Sequence, residues 1–165
     1  MLRGAALSDL PSPEALRGLQ HALRKGRVSE PGRAYLLTTV TDRRRPVFGD
    51  WRIGRLLVAG LRAEHEAGRV ESLAWVVMPD HLHWLTILRE ETLDALMRRV
   101  KSRSAITINR VLGDNRPLWQ KGYHDHAVRA EEDLRAMARY VVANPLRAGL
   151  VRSLGDYHLW DAVWL

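Results

Sequence analysis

Two histidines bracket one leucine in the stretch WVVMPDHLHWLTIL, and imidazole is a side chain that can hold a divalent ion or move a proton near neutral pH. Side chains two apart on a strand point to the same face, so His81 and His83 would converge at the strand's start. That face runs on through Leu85 and Ile87 into the core, where a bare imidazole needs a partner. A metal ion would supply one; neighbouring backbone is the plainer alternative. His124 and His126 repeat the spacing around Asp125 in a more polar segment, where they could contact phosphate or stand behind the first pair. Tyr140 and Asn144 are four residues apart and share a face if one helix carries both. Pro145 pushes the residue before it out of the α region, which predicts that the helix ends at Asn144 with its amide free to turn toward the sheet. Taken singly, each pattern also fits ordinary structure: rim histidines bonded to backbone, a tyrosine packed in an amphipathic helix, an asparagine at a helix end.

The elements that must position these residues can be read from periodicity. The β-branched run Ala34 to Thr41 reads as a strand, followed by a charged turn holding Arg43, Arg44 and Arg45. Trp51 to Glu66 has helical apolar spacing, with Gly68 as its stop. Val70 to Met78 and Leu82 to Arg89 read as two antiparallel strands joined at Pro79-Asp80. Thr92 caps a helix reaching Leu112, which Gly113 closes, and Arg98, Arg99, Lys101 and Arg103 line its wetter side. His124 to Arg129 alternates like a fourth strand. The last main helix opens on Glu131, Glu132 and Asp133, acidic residues that complement the helix dipole. Strand, helix, strand, strand, helix, strand, helix is the order of an α+β, ferredoxin-like sandwich: an antiparallel sheet with helices and an extra C-terminal helix carrying Tyr140. Residues 1–33, with a possible helix from Pro13 to Lys25, read as an N-terminal extension to a domain spanning 34–165.

Composition narrows the partners. The 165 residues fit one domain, and 26 Lys plus Arg against 19 Asp plus Glu leave a formal charge of +7, which favours a polyanion. No apolar run approaches the length of a membrane span, so the expected partner is nucleic acid and not a membrane. The absence of cysteine rules out disulfides and thiolate metal sites, and with no secretory leader pattern the expected compartment is the cytoplasm.

In order and separation, MPDHLHWL, WQKGYHDHAVR and YVVANPLRAGLV together resemble the REP-associated tyrosine transposases, a branch of the HUH single-tyrosine family. The resemblance spans about Ala34 to Trp160. It implies a metal-dependent endonuclease and strand transferase that cuts single-stranded DNA beside a hairpin through a 5′-phosphotyrosine. It also implies Tyr140 as nucleophile and His81, His83 and Asn144 as ligands of Mg²⁺; that mixed nitrogen and oxygen set suits Mn²⁺ at least as well, and the sequence leaves both a monomer and a homodimer open. Related transposases outside this branch carry Gln where Asn144 stands. For the DNA itself, Arg43, Arg44, Arg45, Arg98, Arg99, Lys101, Arg103, Arg129 and His126 are candidate phosphate contacts, and Trp119 and Tyr123 candidate stacking faces. Three adjacent arginines repel one another unless an anion is near, which favours the Arg43 to Arg45 turn. The rival readings are a catalytically inactive hairpin-binding regulator and a phosphodiesterase that activates water.

Overall fold

Alternating and β-branched segments form the sheet, and amphipathic segments cover it. A computed structural model describes residues 29–129 and 131–164; the possible helix at 13–25 lies outside the described residues. The elements are β1 (Ala34–Val40), α1 (Trp51–Glu66), β2 (Val70–Met78), β3 (His81–Leu88), α2 (Leu93–Leu112), β4 (His124–Ala127), α3 (Glu131–Val142), a one-turn α4 (Asn144–Arg147) and β5 (Trp160–Ala162). Both expected helix limits in the first half hold for local reasons. The Asp50 carboxylate accepts from Arg52 N to start α1, and the Thr92 hydroxyl accepts from Ala95 N to start α2, while Gly113 closes α2 at φ 62°.

The sheet order is β4-β1-β3-β2-β5, with every described pairing antiparallel. Its first four strands, 4-1-3-2, are the ferredoxin-like arrangement expected from the element order. β5 was not anticipated; it extends the sheet along β2, with Trp75 opposite Asp161. Nor does the chain stop being helical at Asn144-Pro145. It breaks at Ala143 and resumes as α4, with Pro145 in the first turn, where a missing N–H is tolerated.

Strand alternation divides the core in two. Leu37, Val77, Leu82 and Trp84 face α1 and α2 with Leu57, Leu61, Leu96 and Met97. Leu36, Ala74, Val76 and Leu85 face α3 with Ala138, Val141 and Val142. His81 and His83 share the parity of Leu85, so they lie on the α3 face. The opposite layer is fastened by Glu64, a buried carboxylate on α1. It accepts from Arg69 at 2.6 Å and from Arg99 at 2.7 Å. Burial alone raises the pKa of Glu64, but the hydrogen bonds and charges of Arg99 and Arg69 outweigh it and the net direction is down.

A carboxylate whose pKa is depressed by folding contributes stability above its unfolded pKa and loses it as pH falls through the folded value. Glu64→Gln is therefore expected to cost about 2 kcal/mol at neutral pH, since it removes charged hydrogen bonds from a buried site. In urea melts at stepped pH, the variant's deficit should shrink below about pH 4 as the wild-type carboxyl protonates. A deficit that stays constant into acid would show that charge pairing at Glu64 is not what fastens this layer.

Candidate functional site

At the start of β3 the two imidazole rings sit edge to face with centroids 4.8 Å apart. Each is held through its Nδ1. His83 Nδ1 is 2.8 Å from Thr38 Oγ1 on β1, where the antiparallel register sets the two residues opposite each other. His81 Nδ1 is 2.6 Å from the Asp80 carboxylate in the β2–β3 turn. The Asp80 carboxylate only accepts, so His81 donates from Nδ1 and in its neutral form carries its lone pair on Nε2. The Thr38 hydroxyl can accept from or donate to His83 Nδ1, and Nε2 is the nitrogen it leaves uncommitted. Burial, first, and then the charges of His81 and Arg147 push the His83 pKa down to about 3, against an opposing pull from Asp80. His83 is thus a neutral imidazole at physiological pH.

Helix α3 packs against β2, β3 and β5 on this same face. Ala138 and Val141 turn into the sheet, and Tyr140 is half-buried beside them. Its aromatic face carries the Arg147 guanidinium, 3.9 Å from the ring centroid. Asn144 joins the two helices chemically. Its side-chain nitrogen donates to Val141 O at 2.8 Å and Tyr140 O at 3.2 Å. Val141 O is the carbonyl that residue 145 would bond in a continuous helix, and Pro145 has no N–H to give it. The amide nitrogen is therefore committed, and the amide oxygen is the group left to act.

Two imidazole nitrogens and one amide oxygen are donors of the kind that suit a small divalent ion with open positions. Among the described residues no group of three or more His, Cys, Asp or Glu could hold a metal.

The other sequence candidates fall into distinct places. His124 and His126 lie on the α3 face too, at the exposed edge strand, with Thr38 between His124 and His83 in one cross-strand row. Arg129 is exposed just beyond them. The β1–α1 turn is unusual: Arg43 and Arg44 both adopt left-handed φ, 53° and 52°, a conformation costing roughly 1–2 kcal/mol for a side chain with Cβ. The anions expected beside these arginines come partly from the protein. Arg44 pairs with Asp80 at 3.1 Å and Arg45 with Asp114 at 3.2 Å, whereas the Arg43 side chain is 90% exposed.

Arg98, Arg99, Lys101 and Arg103 belong to α2, on the far side of the sheet from the histidines. Arg99 is bound to Glu64 and Glu91, and Lys101 donates to the carbonyls of Gln120 and Gly122. The expectation of a stacking face at Trp119 is corrected. That ring is 8% exposed, packs 5.5 Å from Phe48 and donates its N–H to Ser104. Tyr123 packs against the same core and donates its hydroxyl to Asp94. Sequence reasoning missed Thr38, Asp80 and Arg147. Arg147 had a signal, since residues 140, 144 and 147 follow the i, i+4, i+7 rule of one helix face.

A ferredoxin-like sheet with paired histidines under a tyrosine-bearing helix is the plan of the HUH enzymes, and comparison with known proteins gives the family. The chain belongs to the IS200-like transposases: the family described as "Transposase IS200 like" matches residues 32–144. A REP-associated tyrosine transposase of Escherichia coli (strain K12) is 31% identical over 84 residues, covering 51% of this chain and 49% of its own. A Haemophilus influenzae relative is 26% identical over 98 residues, covering 53% of this chain and 56% of its own. The chain thus spans about half the length of the curated relatives it matches. The solved structure of a REP-associated tyrosine transposase bound to a REP hairpin shares the fold, with a TM-score of 0.66, 22% identity and coverage of 83% and 81%.

The neutrality of His83 can be tested directly. In a nuclear magnetic resonance titration of its ring protons, the His83 signal should stay flat from about pH 8 to about pH 4.5, below the unperturbed histidine range. A step near pH 6.5 would show that the ring takes a proton under physiological conditions and is not held as the neutral tautomer.

Proposed function

We propose that residues 34–165 form an endonuclease and strand-transferase domain that cuts single-stranded DNA beside a hairpin, preceded by an N-terminal extension. The observation that carries this reading is the pair of imidazoles oriented through Nδ1 on the sheet face beneath the Tyr140 helix. His81, His83 and Asn144 would hold the divalent ion, Mg²⁺ or Mn²⁺. When bound, that ion supplies Lewis-acid polarisation of a phosphodiester. Thr38 and Asp80 anchor the two rings through Nδ1 and leave Nε2 of each to ligate. Tyr140 supplies the nucleophilic oxygen, and the Arg147 guanidinium over its ring limits its orientations. Its attack would leave a 5′-phosphotyrosyl link and a free 3′-hydroxyl, which stores the bond energy for transfer to a second 3′-hydroxyl without a nucleotide cofactor. Arg43, Arg129 and His126 are the phosphate contacts best placed for the strand, since all three are exposed, and His126 lies on the α3 face of the sheet.

Two outcomes follow. Tyr140→Phe removes one oxygen and keeps the ring's packing, so folding and hairpin binding should survive while the covalent protein–DNA adduct disappears. End-labelled hairpin strands run with denatured protein give the readout, and the adduct should carry the DNA lying 3′ of the cut. Nicking by Tyr140→Phe at the wild-type rate would instead favour activated water. Thr38→Val should weaken Mn²⁺ binding about 10- to 100-fold in calorimetry, by freeing the His83 ring, and His81→Ala or His83→Ala should abolish it. Unchanged Mn²⁺ affinity in both alanine variants would move the ion to the other pair, His124 and His126.

A further inference from the structure

Arg147 lies within the matched segment YVVANPLRAGLV, yet the resemblance gave it no role. Its guanidinium lies 3.9 Å from the Tyr140 ring centroid, and its charge is felt at His83. It therefore lies on the Tyr140 ring and within electrostatic reach of the histidine pair. Arg147 forms no ion pair with an acidic side chain among the described residues, unlike Arg44, Arg45, Arg69 and Arg99, each of which has one. Arg147 lies on the exposed surface of α4, and its guanidinium stays charged in proteins. An always-charged fork held on the face of the candidate nucleophile, with no carboxylate partner among the described residues and open to solvent, is placed to take an anion. The Tyr140 hydroxyl, for its part, has no hydrogen-bond partner among the described residues.

We propose that Arg147 grips a non-bridging oxygen of the DNA phosphate that Tyr140 attacks, holding that phosphate against the ring it stacks on. This deepens the reading of Tyr140 as nucleophile and rests on it. The contact holds the guanidinium carbon over the ring, and the N–H groups turned away from the ring can offer a two-pronged grip matched to a phosphate. As the Tyr140 oxygen bonds to phosphorus, the bond from phosphorus to the 3′ oxygen breaks. The phenol proton passes to solvent, and the departing 3′ oxygen takes one from solvent. No electrons are exchanged. The phosphate is anionic before the step, so Arg147 contributes to binding the flank, and more negative charge gathers on the non-bridging oxygens as the Tyr140 oxygen adds, so it contributes to the rate as well. Arg147 sits at the C-terminus of a one-turn helix, where a cation is also favoured by the dipole; that role predicts no dependence on DNA.

The test uses Arg147→Met, which keeps an apolar stem over the ring and removes the charge, and Arg147→Lys, which keeps the charge without the planar fork. Single-turnover cleavage of a labelled DNA hairpin with a single-stranded flank should fall about 10²- to 10³-fold in Arg147→Met, the range for loss of one charge-stabilising donor. Arg147→Lys should recover only part of it. Binding is read separately as the slope of log K against log salt, with the flanked hairpin and with the same hairpin lacking its flank. Arg147→Met should lower the slope by about 0.7 on the flanked DNA, one single-strand phosphate contact, and leave the flankless slope unchanged. Wild-type cleavage rates in Arg147→Met, or equal slope changes on both DNAs, would overturn the proposal. If wild type itself forms no covalent adduct, the nucleophile reading fails, and the flank-specific slope still reports whether Arg147 holds a phosphate.

Discussion

The carboxylate of Asp80 ties together parts of the chain that must agree for the site to exist. It accepts from the His81 ring and from Arg44, and its backbone carbonyl accepts from Thr41 through both N–H and hydroxyl. One turn residue thereby fixes the end of β1, the strained arginine loop and the orientation of a candidate ligand. Burial works against its charge, but the hydrogen bonds and charges of His81 and Arg44 hold its pKa below the usual carboxylate value. The ionised form that the imidazole and guanidinium require is thus the one present at neutral pH. The two left-handed arginines become intelligible in this frame. The turn is held by the pairs Arg44 makes with Asp80 and Arg45 with Asp114, while the Arg43 side chain stays exposed at the same turn.

The site is a product of parity on one side and of a broken helix on the other. Register between β1 and β3 puts Thr38 opposite His83, so a slip of one residue would send both histidines to the α1–α2 side and dismantle the pair. The helical side is set by Ala138, Val141 and Val142. The match to the IS200-like transposases, over residues 32–144, spans β1 to β4 of this sheet and this helix. The α2 basic residues serve the other layer: Arg99 and Lys101 are occupied in holding Glu64, Glu91 and the loop carbonyls at Gln120 and Gly122.

Much of this was legible because it is local. Trp51 to Glu66 and Thr92 to Gly113 carry their own caps and periodicity, and the element order alone gives the ferredoxin-like plan. The paired histidines declared their shared face through spacing. What stayed hidden is long-range or short. Arg45 meets Asp114 across 69 residues, and nothing in a basic turn names its acidic partner. β5 is three residues long and exists because β2 offers an open edge. Trp119 reads the same in sequence whether it faces solvent or Phe48. Asn144-Pro145 was legible as a break but not as a continuation, because the hydrogen bond that carries the helix past Pro145 comes from a side chain.

That substitute bond also constrains what can occupy position 144. The amide nitrogen faces two backbone carbonyls, so the position demands a donor on one side and an acceptor on the other. Aspartate is nearly the same shape and a stronger ligand for hard ions, but it would set anionic oxygen against carbonyl oxygen at Val141 and leave the helix joint unmade. The requirement for a hinge-bridging donor thus selects an amide over a carboxylate at this joint, and the charge of the side chain at position 144 is decided by the backbone of a helix.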